Sequence, residues 1–314
     1  MDTTQIKKKK ILVIYFSQTG QLYNILQSFT SPLQGKSFIN VDFLEIQPKN
    51  KFPFPWRPVD FFDVFPESVY EEPCGICSIS DSISHSEYDL IILGYQVWYL
   101  SPSIPVMSFL KTKDAERLLR GKPVITVIAC RNMWLQAQES MKRHLLRLKA
   151  NHIDNVTLVD NNPFPLNMLS ILIWMLLGKK GPSLNGKIPE SGISGKDTGD
   201  CRRFGKAVLD AILNEKMFCR PVLKGLGAAN VNEKFILIEE IGYKSFRIWG
   251  ALLRGSGRIS PGLRKLALIL YFVFLMIMVF TAVPILLVMQ RILRPILGKK
   301  LKAKRDYYAL PSGE

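Results

Sequence analysis

The chain has 314 residues, 47% of them hydrophobic, and its 42 Lys+Arg against 26 Asp+Glu give a formal net charge of +16. These values exclude a disordered or low-complexity chain and allow one large core or two modest ones. The charge is uneven: residues 216–314 hold 17 Lys+Arg against 5 Asp+Glu, a net of +12. There the basic residues flank a long apolar run instead of forming a stripe with aromatic residues, which points to a membrane surface and away from nucleic acid.

Near the start, Lys7 to Lys10 precede only six apolar residues. That is too short for a secretory core and lacks a small-residue cleavage site, so the globular part is expected in the cytoplasm. Five cysteines, an odd number spread along the chain, agree with a reducing compartment. The six apolar residues 11–16 show no alternation and predict a strand buried on both faces, as in the middle of a parallel sheet. Ser17, Gln18, Thr19 and Gly20 follow, and a helical pattern opens at Gln21 and runs to about residue 28. A hydroxyl-rich turn at a helix amino terminus gathers free N–H groups and the positive dipole end at one point, which suits a phosphate dianion. No Lys follows the Gly, which excludes the triphosphate loop, and the single Gly excludes the dinucleotide fingerprint. The Ser-Gln-Thr-Gly turn resembles the flavodoxin superfamily, whose corresponding loop binds the FMN phosphate. Leu22 stands where flavodoxins usually carry a further Thr, so one hydroxyl contact is missing.

A second strand is expected at 41–46. Residues 47–66 contain Pro48, Pro53, Pro55, Pro58 and Pro66, which forbid a regular helix or central strand, together with Phe52, Phe54, Trp56, Phe61, Phe62 and Phe65. This insertion either packs a small core of its own against the sheet or covers an apolar substrate. Cys74 and Cys77 form a lone pair at C-x-x-C spacing with no second pair and no nearby His, so they read as loop thiols, and no metal site is expected. A third strand, 88–95, opens into Gln96, Val97, Trp98 and Tyr99, with a helix expected at about 103–110. A fourth, 124–129, ends in Cys130, Arg131, Asn132, Met133 and Trp134. In an open parallel sheet both loops and the first turn meet beyond the strand carboxyl ends. His144 and His152 have no partner at useful spacing and read as surface residues. Cys130 beside Arg131 is either a thiol of lowered pKa or, as favoured here, a small residue leaving room for a ligand.

A fifth strand is expected at 156–160, then an apolar helix within 163–178 too short to span a bilayer, and a closing helix over 197–213. The expected fold is therefore α/β, a flavodoxin-like doubly wound parallel sheet of order 2-1-3-4-5, followed by a hydrophobic, membrane-associated helix. The organisation read from the chain is a domain over 1–215 with insertions at 47–87 and 163–190, a basic linker over 216–260 containing a short strand at 235–239, a hydrophobic helix over 261–299 and a basic tail over 300–314. Residues 266–289 are 24 without a charge, about 36 Å of helix. Pro284 should kink or break this run. A single span would carry Arg291, Arg294, Lys299, Lys300, Lys302, Lys304 and Arg305 across the membrane, against the positive-inside tendency, so a monotopic or re-entrant helix on the cytoplasmic face of the inner membrane is preferred.

The segments YFSQTGQL, IQPKNKFPFPWRPVDFFDVFP, GYQVWYLSPSIP and ACRNMW together resemble the dialkylresorcinol condensing enzymes of dialkylresorcinol and flexirubin-type pigment pathways. The chain offers no Cys–His nucleophile for condensation. The resemblance therefore implies an FMN oxidoreductase that aromatises a dialkylcyclohexanedione made by a separate ketosynthase, its partner in the pathway. It also implies Ser17, Gln18, Thr19, Gly20, Gln21, Gln96, Val97, Trp98, Cys130, Met133 and Trp134 as FMN contacts. Tyr95, Tyr99, Arg131 and Asn132 are the candidates to bind the oxygens of a lipid-like substrate or to move a proton. The alternatives are a membrane-tethered flavodoxin carrying electrons and a scaffold without flavin that holds a lipid for the ketosynthase.

Overall fold

The computed structural model describes residues 8–163, 166–214, 218 and 221–313. Its centre is β1 (Lys9–Tyr15), which pairs in parallel with β2 (Ile39–Glu45) on one side and β3 (Leu90–Trp98) on the other. β4 (Pro123–Cys130) pairs in parallel with β3, and β5 (Asn151–Val159) closes the edge, giving the order 2-1-3-4-5. A two-residue strand, Ser101–Pro102, folds back antiparallel on the end of β3. This is the flavodoxin-like doubly wound sheet.

The reading of β1 as a doubly buried strand holds: Ile11, Leu12, Val13 and Ile14 have no exposed surface. Leu12, Ile14 and Phe16 enter one core layer while Ile11, Val13 and Tyr15 enter the other, as the two-residue strand period requires. The second layer is covered by α1 (Gln21–Thr30) and, later, by a helix at Arg202–Leu213. Leu22 is 1% exposed, so the position that lacks a Thr hydroxyl is a core contact. Helices Ile104–Leu110 and Leu135–Arg147 cover the first layer. We label α2 (Pro58–Asp63), α3 (Phe65–Val69), α4 (Leu135–Arg147), α5 (Leu166–Leu177) and α6 (Arg202–Leu213) for reference.

β5 starts five residues before its expected first residue. Its early part reads as polar because Asp154 and Asn155, both fully buried, satisfy groups brought from elsewhere in the chain. His152 lies on this strand, its Nε2 3.0 Å from Thr126 Oγ1, and His144 is paired with Glu71 at 2.9 Å with its side chain 13% exposed. Neither is the surface residue expected. Burial pulls the His152 imidazole down to about 4, so it is neutral at physiological pH.

The largest departures lie after residue 230. The stretch expected to be a linker with a short strand holds α7 (Glu233–Ile259), one 27-residue helix capped by Asn232, whose side chain accepts from the Lys234 N–H at 3.1 Å. Ile236, Glu239, Phe246, Gly250 and Leu253 recur at helical spacing on its inner face, which the apolar run at 235–238 disguises. α8 (Pro261–Ile277), a π-helical turn (Met278–Ala282) and α9 (Val283–Ile292) form one apolar helix, Pro261–Ile292, whose most apolar 18-residue stretch has a mean hydropathy of 2.8. Pro284 does not break it. The ring removes one N–H, and the ladder shifts register through the π turn just before it. The expected basic tail is mostly α10 (Arg294–Ala309), which returns to the globular body: Leu301 and Tyr308 join the same core as Leu12 and Met141. Lys304 pairs with Glu240 at 2.5 Å and Arg305 with Glu233 at 2.9 Å. Both ends of the apolar helix are thus held by one body.

Candidate functional site

Beyond the carboxyl ends of β1, β3 and β4, three loops converge. The first is Ser17 to Gly20. Gly20 takes a positive φ of 78° at the start of α1, a conformation that a side chain would strain. As the N-cap residue, Gly20 provides no side-chain cap, and α1 has no acid in its first turn. Ser17 Oγ accepts the Tyr23 N–H at 3.3 Å and Gly20 O accepts the Asn24 N–H at 3.1 Å. Among the described residues no partner reaches the N–H groups of Gly20, Gln21 or Leu22. These donors and the free Thr19 side chain form an uncommitted anion-binding corner.

The turn is braced from both sides. Gln18 Nε2 donates to Pro53 O at 2.8 Å, tying it to the proline-rich insertion. Gln21 exchanges two hydrogen bonds with the Ile193 backbone, at 3.1 and 3.2 Å. On the second loop, Tyr99 and Leu100 both have positive φ, 48° and 64°. Tyr99 donates its hydroxyl to Phe61 O, and Ser68 Oγ donates to Trp98 O at 2.9 Å. Insertion helices α2 and α3 therefore clamp this loop. Trp98 meets Phe52, Trp56 and Phe16 edge-on, with centroids 5.1, 5.9 and 6.0 Å apart.

The third loop holds Arg131 in a half-buried position. Its guanidinium touches Met168 Sδ, and no carboxylate lies within ion-pair distance among the described residues. Burial pulls it down to about 10, offset by attraction to Asp160, so it stays charged at neutral pH. Cys130 is pushed up by burial despite Arg131, which disfavours the thiolate a nucleophile would need.

These loops line one end of a cavity of about 410 Å³. Gln18, Thr19, Gln21, Gln96, Val97, Trp98, Tyr99, Cys130, Arg131, Asn132 and Met133 all contribute to its wall. Ser17, Gly20, Tyr95 and Trp134 do not. Tyr95 is fully buried, donates to Gln138 Oε1 at 2.6 Å, and lies in the core layer beneath the sheet; strand alternation turns it away from the loops. Trp134 is 2% exposed and opens α4 inside the same layer. Both assignments are corrected accordingly.

Trp56, Phe61 and Phe62 of the insertion, weighed from the sequence as a cover, also line the wall; sequence reasoning missed the rest of it: Met168, Leu172 and Trp174 of α5, Ile238, Gly242 and Phe246 of α7, and Phe274 to Leu286 of the apolar helix. The aromatic insertion builds a small core and also lines the cavity. Phe62, Phe65 and Val69 build a core with Leu253, Leu268 and Tyr271, while Trp56 and Phe61 face the cavity. Also missed is Glu239 of α7. Its Oε1 accepts the Gln136 N–H at 2.7 Å and so caps α4, whose own N-cap residue, Trp134, makes no side-chain cap. Burial pushes its carboxyl up to about 8. The loop thiols Cys74 and Cys77 are free, and Cys74 Sγ accepts from Ser108 Oγ at 3.4 Å.

Two orphaned acceptors test whether a flavin fits. Gln96 Oε1 and Asn132 Oδ1 are buried on the cavity wall without a hydrogen-bond partner among the described residues. A flavin ring carries one N–H donor when oxidised and gains another on reduction, so it would satisfy one or both of these acceptors according to its redox state, and a phosphate would satisfy the α1 corner. The residues present fit FMN.

No protein-family model matches this chain, and no curated protein matches it. Among solved structures, one described as a flavoprotein from Bacteroides eggerthii is 19% identical, with 49% of this chain and 91% of that chain covered and a TM-score of 0.39. A flavoprotein in complex with FMN from Lactobacillus acidophilus is 16% identical, with 48% and 91% covered and a TM-score of 0.35. Oxidised flavodoxin 1 from Bacillus cereus is 14% identical, with 64% and 98% covered and a TM-score of 0.35.

Proposed function

We propose that the protein is a membrane-associated FMN oxidoreductase that aromatises a dialkylated cyclohexane-1,3-dione to the corresponding resorcinol. The observation that carries this reading is one cavity joining an uncommitted anion corner and two orphaned amide oxygens to a half-buried cation, Arg131, with no ion pair among the described residues, and an apolar chamber. Thr19, Gln21 and the α1 N–H groups hold the phosphate; Gln96 and Asn132 hold the ring. When bound, FMN supplies the acceptor for the hydride that the dione must lose.

The chain's own residues do the rest. Arg131 holds the oxygens of the acidic dione as its enolate, a charge-assisted contact strengthened by the surrounding apolar wall. Aromatisation removes one hydride and one proton; the dione is acidic enough to lose its proton to bulk water as it enolises, before it enters the chamber, so that only the hydride has still to leave. Tyr99 contributes as a wall residue, because its hydroxyl is donated to Phe61 O. Trp56, Phe61 and Trp98 exclude water from the chamber. An electron carrier would instead present its flavin edge to a protein partner, and the apolar insertion covering this site argues against that. The docked ends of helix 261–292 favour an anchor lying in the membrane plane over a crossing.

The test is anaerobic single turnover. Purified protein reconstituted with FMN is mixed with the dione, and bleaching of the flavin absorbance is expected together with one equivalent of resorcinol by mass. Bleaching only with a reducing protein would favour the carrier, and protein that holds no flavin would favour the scaffold.

A further inference from the structure

The cavity has two chemically different ends. Among the described residues its only charged wall residues, Arg131 and Asp160, lie at the sheet loops, and the far wall is built from Phe274, Leu275, Met278, Val279, Val283 and Leu286 of the apolar helix. On the other side of that helix, Val273, Ile277, Phe280 and Ile285 are 49 to 60% exposed. One helix therefore separates the chamber from whatever covers this exposed apolar face, and a lipid bilayer matches its composition and the basic residues at both ends.

We propose that this far chamber is an alkyl-chain site, filled laterally from the bilayer past helix 261–292, while the ligand's polar ring occupies the Arg131 end. The occupant is a long-chain amphiphile with a flat, acidic hydroxylated ring. The π turn at Met278–Ala282 gives the door its local weakness. Pro284 has no N–H to offer, and the Thr281 hydroxyl bonds back to Ile277 O at 2.6 Å, both of which loosen the backbone ladder beside Val279. Gly242 of α7 sets the room available. A Cβ there would meet only Leu100 Cδ1, at 3.6 Å, so a larger side chain would project into the chamber. The inference deepens the proposed function and rests on its membrane reading, but it does not require flavin.

The experiment uses the full chain in phospholipid vesicles and two probes, 5-pentadecylresorcinol and 5-methylresorcinol. Binding is followed by tryptophan fluorescence, since Trp56, Trp98 and Trp174 line the cavity. Gly242→Phe and Val279→Phe are each expected to weaken the long-chain probe by about tenfold or more and to leave the short one within about twofold. Val279→Phe exchanges apolar residues at a half-exposed site, so it remains informative if Gly242→Phe fails to fold. Equal weakening of both probes, or an unchanged long-chain affinity in a folded variant, would overturn the alkyl site. Absence of FMN binding with the chain-length effect intact would overturn the flavin reading alone.

Discussion

Ser312 donates its hydroxyl to Asp154, a residue 158 positions earlier on the edge strand, and accepts the Asn155 N–H at 3.0 Å. Asp154 also accepts the N–H groups of Val222 and Leu223 at 2.8 and 3.2 Å. One buried carboxylate thus gathers the sheet edge, the segment after α6 and the end of the chain. Ser312→Ala leaves Asp154 short of a donor in a buried setting, with an expected cost of about 1 to 3 kcal/mol. Thermal unfolding in detergent measures it, and an unchanged midpoint would show that the tail does not dock as described.

A chain ending at residue 256 would be a soluble flavin domain if the packing divided at residue 215. Leu301 and Tyr308 belong to the sheet's own core, so that truncation strips core contacts as well as the anchor. The truncated protein is expected to aggregate or unfold at lower denaturant than the full chain. A stable, soluble, FMN-binding fragment would contradict this.

Glu239 links stability to pH. Its folded value is raised from 4.5 to about 8 by burial, against the N–H groups of α4 that favour the charged form. A raised carboxyl contributes stability fully present below 4.5 and lost as pH rises through about 8, on the order of a few kcal/mol. Glu239→Gln keeps an oxygen for the Gln136 N–H and is expected to flatten the profile. Denaturant midpoints at pH 6 and pH 9 for both proteins test this; a parallel loss in the variant would place the titration elsewhere.

Gly205 of α6 faces the backbone of α1, where an added Cβ would lie 1.8 Å from Phe29 O. Gly205→Ala must push the two helices apart, with an expected destabilisation of about 1 to 3 kcal/mol and a displaced α1 amino terminus. Reduced denaturation midpoint together with weaker FMN binding is the expected pair of results.

What the sequence disclosed was mostly local. Residues 11–20 state their own structure, because an unbroken apolar run and a polar turn need no distant partner to be read. The loops ending β3 and β4 follow from topology, and most of their residues reach the cavity. Tyr95 was misplaced because adjacency to Gln96 says nothing about which face a strand residue takes. Glu239 was hidden because its partner, the Gln136 N–H, lies 103 residues away. The tail was hidden for a related reason: Lys300, Lys302 and Lys304 surround Leu301, so composition reads as solvated while one face is core.

Thr19 offers a hydroxyl to the proposed phosphate, and Thr19→Val removes it while conserving shape. A charge-assisted contact of this kind contributes about 1.5 to 3 kcal/mol, so FMN affinity should fall roughly ten- to a hundredfold. Fluorescence titration of the variant beside the parent gives the ratio, and equal affinities would remove the phosphate from this turn.

The flavin itself is the central claim, and titration of the flavin-free full-length protein with FMN tests it most directly. The account predicts saturation at one FMN per chain, with strong quenching of flavin fluorescence by Trp56 and Trp98 on the cavity wall. Flavin that stays fully fluorescent and passes freely through a desalting column would contradict it.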